Sequence, residues 1–143
     1  MAQKESQYTL TNDLVEEAVK FHGHLGPFLI LGLRAGLIGI NYLGKNYFEL
    51  KAAVVTSPKP PRSCFIDGIQ FVSGCTIGKG NLEIKNSRDV SVIFTRAERK
   101  ISLTVKDAIL KTLDQLTSEE QVEVSGKEIL QKTDRDLFLI NKT

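Results

Sequence analysis

Both histidines and both cysteines of this 143-residue chain lie between His22 and Cys75. His22-Gly23-His24 places two imidazoles two residues apart. On a continuous helix such a pair faces different ways, but at a break both rings can turn to one point. The pair then serves as metal ligands, or one ring as a general base. The structural alternative is two half-buried histidines closing helix ends. Cys64 opens a predicted helix, where the positive helix end and nearby Arg62 favour the thiolate, the form that ligates and attacks. A buried structural cysteine is the alternative. Asp67, three residues on, either joins the site as a base or complements the helix dipole.

Cys75 is placed at the far end of the same helix. Eleven residues at 1.5 Å each separate the two thiols by roughly 16 Å. One metal cannot reach both at about 2.3 Å if that helix is intact, and a disulfide needs Cα atoms within about 7 Å. Convergence needs a shorter helix or a second chain. GCTIGKGN (74–81) is glycine-rich with one Lys, but lacks the spacing of a phosphate-binding P-loop. Lys79 there either holds an anion or belongs to a tight helix–strand connection.

The elements that must position these residues follow from pattern. Asn12 and Asp13 are placed to cap a helix over LVEEAVKF, which ends near Gly23. A second helix starts with Pro27 and runs to about Gly44. It is apolar nearly all round, hence central. Its small residues Gly32, Ala35, Gly36 and Gly39 invite close packing, and its Arg34 needs a polar partner or an exit to solvent. A strand ends at Thr56, and SPKPPRS is expected as a rigid, extended loop. CFIDGIQFVS is a short helix ended by Gly74. LEIKN, DVSVIFTRAE and RKISLTV are strands, with Val90, Val92 and Phe94 on one face. KDAILKTLDQL is a helix, residues 118–120 open another short one, and GKEILQK is a further short element. LFLI near the C-terminus is an edge strand or a partner contact. Helices first, then strands, then helices point to a single α+β domain with an antiparallel or mixed sheet packed against helices. Its core is expected at about 12–116, with 117–143 as a C-terminal extension.

Composition narrows the function class. The formal net charge is +2, with 19 basic and 17 acidic residues, far from the excess of a non-specific nucleic-acid binder. Two cysteines make no disulfide framework, and no paired CxxC motifs of a zinc ribbon are present. The N-terminal residues are polar, without the apolar region of a signal peptide. The longest apolar run, Phe28 to Ile40, is short of the roughly 20 residues of a membrane span and carries Arg34 at its centre. These features predict a cytoplasmic protein that meets neither membrane nor nucleic acid. Ten of the 11 Gly and all four Pro also fall between His22 and Gly80, Gly126 being the exception. The site is therefore expected in that window.

FHGHLGPFLILGLRAG and CFIDGIQFVSGCTIGKGNL together resemble the FmdE family, which takes its name from formylmethanofuran dehydrogenase. Its pattern is approximately HGHxCPG, a Gly-rich helix with Arg, C-x-x-DAIQ and GCTxGKGNL. The match runs from about Asn12 to Leu116. The resemblance implies an α+β core, a homodimer and a metal-binding cleft for a divalent metal, zinc being the usual assignment. By matching position the metal residues are His22, His24, Cys64 and Cys75. Asp67 matches the Asp of the second motif and is the candidate catalytic base. Arg34 and Lys79 are the candidate holders of a small anionic substrate. Gly26 stands where the family carries a cysteine, and Phe28 replaces the following glycine, so the ligand set is reduced. The implied function is that of a metal-binding cleft protein and, in its stronger form, a metal-dependent enzyme acting on a small molecule. The alternative is a non-catalytic accessory or cofactor-binding subunit acting through an interface.

Overall fold

The computed structural model describes residues 7–143. The reading of the N-terminus as free of an apolar leader rests partly on residues 1–6, which lie outside the described residues. The element order is α1 (Asn12–His22), α2 (Pro27–Leu43), β1 (Lys51–Thr56), α3 (Cys64–Ser73), β2 (Leu82–Asn86), β3 (Ser91–Arg96), β4 (Arg99–Val105), α4 (Asp107–Leu113), α5 (Glu119–Gln131), α6 (Asp134–Leu137) and β5 (Phe138–Lys142). The strands form one sheet in the order β2-β1-β3-β4-β5. β1 and β2 run parallel, and the other neighbours are antiparallel. The chain is thus an α+β domain with a mixed sheet. Among the described residues, no helix is long and apolar enough to cross a membrane.

α2 is the axis of the domain. Most of its residues are buried, because it lies between the sheet and the layer holding α3 and α5. The predicted small-residue face makes both contacts close. A Cβ at Gly39 would fall 2.4 Å from the Phe94 ring of β3, and one at Gly32 would fall 2.2 Å from the Phe65 carbonyl oxygen of α3. Gly68 answers from α3, where a Cβ would meet the Leu29 carbonyl oxygen at 2.4 Å. The two helices therefore touch backbone to backbone and share one rigid register. Val90, Val92 and Phe94 are fully buried under α2, as their alternation predicts. The intervening residues of β1, β3 and β4 face away and are partly exposed, Ile93 among them.

Several local expectations are corrected. Thr11, not Asn12 or Asp13, caps α1: its extended backbone precedes the helix and its hydroxyl accepts the Leu14 N–H. The segment after Thr56 does not extend. It winds through successive turns in which Ser63, Cys64 and Phe65 donate to the carbonyls of Lys59, Pro61 and Arg62. Prolines fit the entry to a winding segment, since N–H groups there have no intrahelical partner. Residues 119–131 form one helix instead of two short elements. Gly126 does not interrupt α5 because it is seated against Leu25 and Gly26, where a Cβ would lie 3.3 Å from the Gly26 carbonyl carbon. Thr133 and Asp136 form a reciprocal capping box on α6, and LFLI joins the sheet edge beside β4. The C-terminal 27 residues are therefore built into the fold.

Candidate functional site

α1 ends at His22, and Gly23 takes φ 114°, a left-handed turn that suits glycine. The turn folds the chain back, so the His24 ring comes to rest against the His22 ring with centroids 4.7 Å apart. The Nδ1 atom of His22 lies 2.6 Å from Oδ2 of Asp67 on α3. An ionised carboxylate only accepts hydrogen bonds, so Nδ1 carries the hydrogen and Nε2 of the neutral ring carries the lone pair. That Nε2 is buried and has no hydrogen-bond partner, in a side chain only 9% exposed. A buried polar atom left unmatched costs about 1–3 kcal/mol, so it points to a missing partner. His24 is exposed.

Cys64 is half-buried at the start of α3, one turn from Asp67 on the same face. The expectation of a thiolate is corrected here. Burial pushes its thiol up from the ordinary value, and the negative charge of Asp67 adds to the rise. Arg62 gives no opposing help, because its guanidinium donates to both carboxylate oxygens of Asp114, at 2.9 and 3.1 Å, and to the Arg88 carbonyl. A cation bound nearby would reverse this balance, since metal coordination favours the deprotonated sulfur.

The other end of α3 is built differently. Cys75 is fully buried; its thiol donates to the Leu50 carbonyl at 3.4 Å, and its N–H donates to Ser73 Oγ. Because α3 is unbroken from Cys64 to Ser73, about 15 Å of helix separates its ends. Within one chain the structure does not bring Cys75 to His22, His24 and Cys64, so the four expected metal residues do not converge. Asn81 ties the segment together. Its Oδ1 accepts the Thr76 N–H, and its Nδ2 donates to the Tyr47 and Leu50 carbonyls. Lys79 donates to the Gly74 carbonyl and stands over the Tyr47 ring. GCTIGKGN is therefore a self-satisfied connection between helix and strand.

Arg34 is engaged as well. Its guanidinium donates to the Ile129 carbonyl at 3.0 Å and to Asp134 at 2.9 Å, fastening α5 and α6 to α2. Neither expected anion holder is brought to the histidine pair. Among the described residues, no group of three or more His, Cys, Asp or Glu side chains is arranged to hold a metal ion. What the pair does offer is one unmatched, pre-oriented Nε2 beside a second imidazole. That donor set fits a borderline divalent cation with water completing its shell.

Two features escaped the sequence reading. α5 reaches the site: a Cβ on Gly26 would meet Val122 Cγ1 at 3.6 Å, and Gly126 packs against Gly26. The one signal was Gly126 itself, the glycine outside the special window. Gly68, inside a helix, was the corresponding signal for the α2–α3 contact.

Comparison with known proteins agrees with this architecture. Residues 21–139 match the family described as "FmdE, Molybdenum formylmethanofuran dehydrogenase operon", so the match runs past Leu116 into the C-terminal helices and β5. A solved structure of an FmdE-like protein of tungsten formylmethanofuran dehydrogenase, from Syntrophus aciditrophicus, shares the fold. Its TM-score is 0.66 at 16% identity, covering 92% of this chain and 70% of that one. A 72-residue stretch is 35% identical to a protein of Archaeoglobus fulgidus named a probable S-adenosyl-L-methionine-binding protein; it covers 48% of this chain and 19% of that protein. The chain thus matches only about a fifth of that relative's length. On the extent of the family match, the chain belongs to the FmdE family.

Proposed function

We propose that the chain is a metal-binding FmdE-like protein whose site is the His22–His24 pair, with Cys64 beside it. The observation that carries this reading is the buried, partnerless Nε2 of His22, fixed in orientation by the Nδ1–Asp67 contact. A carboxylate that accepts from the far nitrogen of a ligating histidine sets its tautomer and raises its basicity. Asp67 is therefore a positioning residue in this reading, where the sequence suggested a base. His22 and His24 would hold the ion, and Cys64 would release its thiol proton to solvent on joining them. Two imidazoles and a thiolate suit zinc. A bound zinc supplies Lewis-acid polarisation of a carbonyl or an acidified water. The exposure of His24 leaves that side of the pair accessible to a small-molecule ligand. The homodimer and the cytoplasmic location implied by the family and by composition belong to this reading.

Metal analysis of protein prepared without a His-tag tests it. Zinc near one equivalent per chain, lost in His24→Ala with an unchanged melting temperature, is expected. Sub-stoichiometric zinc, nickel and iron together, with no effect of His24→Ala, contradict it. A second reading, a non-catalytic cofactor-binding subunit, is supported by the name of the Archaeoglobus fulgidus relative. It predicts that metal-free protein binds S-adenosyl-L-methionine and that His22→Ala does not change that binding.

A further inference from the structure

We propose that Gly26 keeps one coordination position of this metal open and that the position takes a small anionic ligand. The inference rests on the metal reading above and deepens it. Gly26 has φ −145° and ψ 160°, an extended backbone that any residue adopts. It caps α2 without a side-chain hydrogen bond, although Ser, Thr, Asp or Asn would supply one there. Packing does not demand glycine either. A Cβ at this position would lie 3.6 Å from Val122 Cγ1 and 3.7 Å from both Cε1 and Nε2 of His24, ordinary van der Waals separations. Gly32 and Gly68 differ sharply, because there a Cβ would collide with backbone.

Backbone, cap and packing thus leave the missing side chain at 26 unexplained, and its distinguishing neighbour is the His24 ring. A γ atom on residue 26 would enter the space beside His24 Nε2. His22, stacked on that ring, presents the unmatched Nε2 in a side chain more than nine-tenths buried. α5 bounds the space through Val122 and Gly126, while His24 leaves its other side open to solvent. Two neutral imidazoles leave a divalent ion with its charge, and one thiolate would remove only half of it. Arg34, Arg62 and Lys79 are all engaged within the chain. The nearest net positive charge for an anion would then be the metal itself.

Cobalt(II) is the probe metal and azide the probe anion, read by visible absorption of metal-stripped, tag-free protein. The wild type is expected to take up cobalt and to change spectrum on saturation with azide. Gly26→Cys is expected to show sulfur-to-cobalt charge transfer without azide, and to bind azide at least about tenfold more weakly, the scale on which neighbours of a metal ligand act. Gly26→Ser, which fits the cap, covers the case of a misfolded cysteine variant; it should keep the wild-type melting temperature and lose azide affinity by roughly fivefold or more. A cobalt spectrum blind to azide overturns the inference alone. So does unchanged azide affinity in a folded variant. Failure of the wild type to bind cobalt overturns the metal reading, and this inference with it.

Discussion

The two ends of α3 carry similar residues and are built for opposite purposes. At the N-terminal end stand Cys64 and Asp67, with His22 and His24 brought across from α1. Here one thiol is half-buried, one imidazole is exposed, and one buried nitrogen has no partner. At the C-terminal end stand Cys75, Lys79 and Asn81. Here the thiol, the ammonium and the amide are all engaged by backbone groups of the fold. Both ends match family motifs, so motif content alone does not separate them. Hydrogen-bond accounting does: a polar group whose bonds are complete within the fold is holding the fold, and one left incomplete is waiting for something else.

This contrast can be broken or sharpened by substitution. The largest effect is expected midway along α3, where Gly68→Ala forces a Cβ to within 2.4 Å of the Leu29 carbonyl oxygen and 2.7 Å of the Leu33 nitrogen. Overpacking of backbone against backbone should cost about 3 kcal/mol in denaturant unfolding, despite the better helix propensity of Ala. A cost below about 1 kcal/mol would mean that the helices are not held in register, and that the two ends are not fixed apart. Asn81→Ala should come next, at about 2 kcal/mol, because it strands the Thr76 N–H and removes a donor from the Tyr47 and Leu50 carbonyls. Zinc uptake should be unchanged in that variant.

The smallest effect concerns the thiols. Cys64 should react with a thiol reagent in the folded protein, and Cys75 only after unfolding, given their burial. Burial also pushes Cys75 up, against the lowering effects of Ser73 and Lys79. A thiol raised in the folded state adds stability that is complete below its unfolded value and is lost as pH rises through the folded one. Melting temperature should therefore fall from the ordinary thiol range upward, and Cys75→Ala should fall less steeply. Equal slopes would show that Cys75 is not held as the neutral thiol.

Much of this architecture could be read directly from residue pattern. Gly23, Pro27, Gly44 and Gly74 mark helix limits because φ-specific or donor-free residues act locally. Val90, Val92 and Phe94 mark the buried sheet face by alternation. The location of the site at His22–His24 was legible as an imidazole pair at a helix break. Its partners were less so, because Asp67 and Val122 reach the pair through tertiary packing that no local spacing encodes. The charges of Arg34 and Lys79 misled for the same reason. A cation in sequence looks available, and only the folded chain shows it donating to the Ile129 and Gly74 carbonyls. Cys64 likewise needed the third dimension, since the burial that raises its thiol outweighs the helix end that was expected to lower it.

The central claim is that the site belongs to the N-terminal end of α3 and not to both ends. A zinc titration by calorimetry on metal-stripped, tag-free wild type, His22→Ala and Cys75→Ala tests it most directly. The account predicts one zinc per chain in the wild type, an affinity loss of about a hundredfold or more in His22→Ala, and wild-type affinity in Cys75→Ala. Zinc binding that survives His22→Ala, or that disappears with Cys75→Ala in a folded protein, would contradict it.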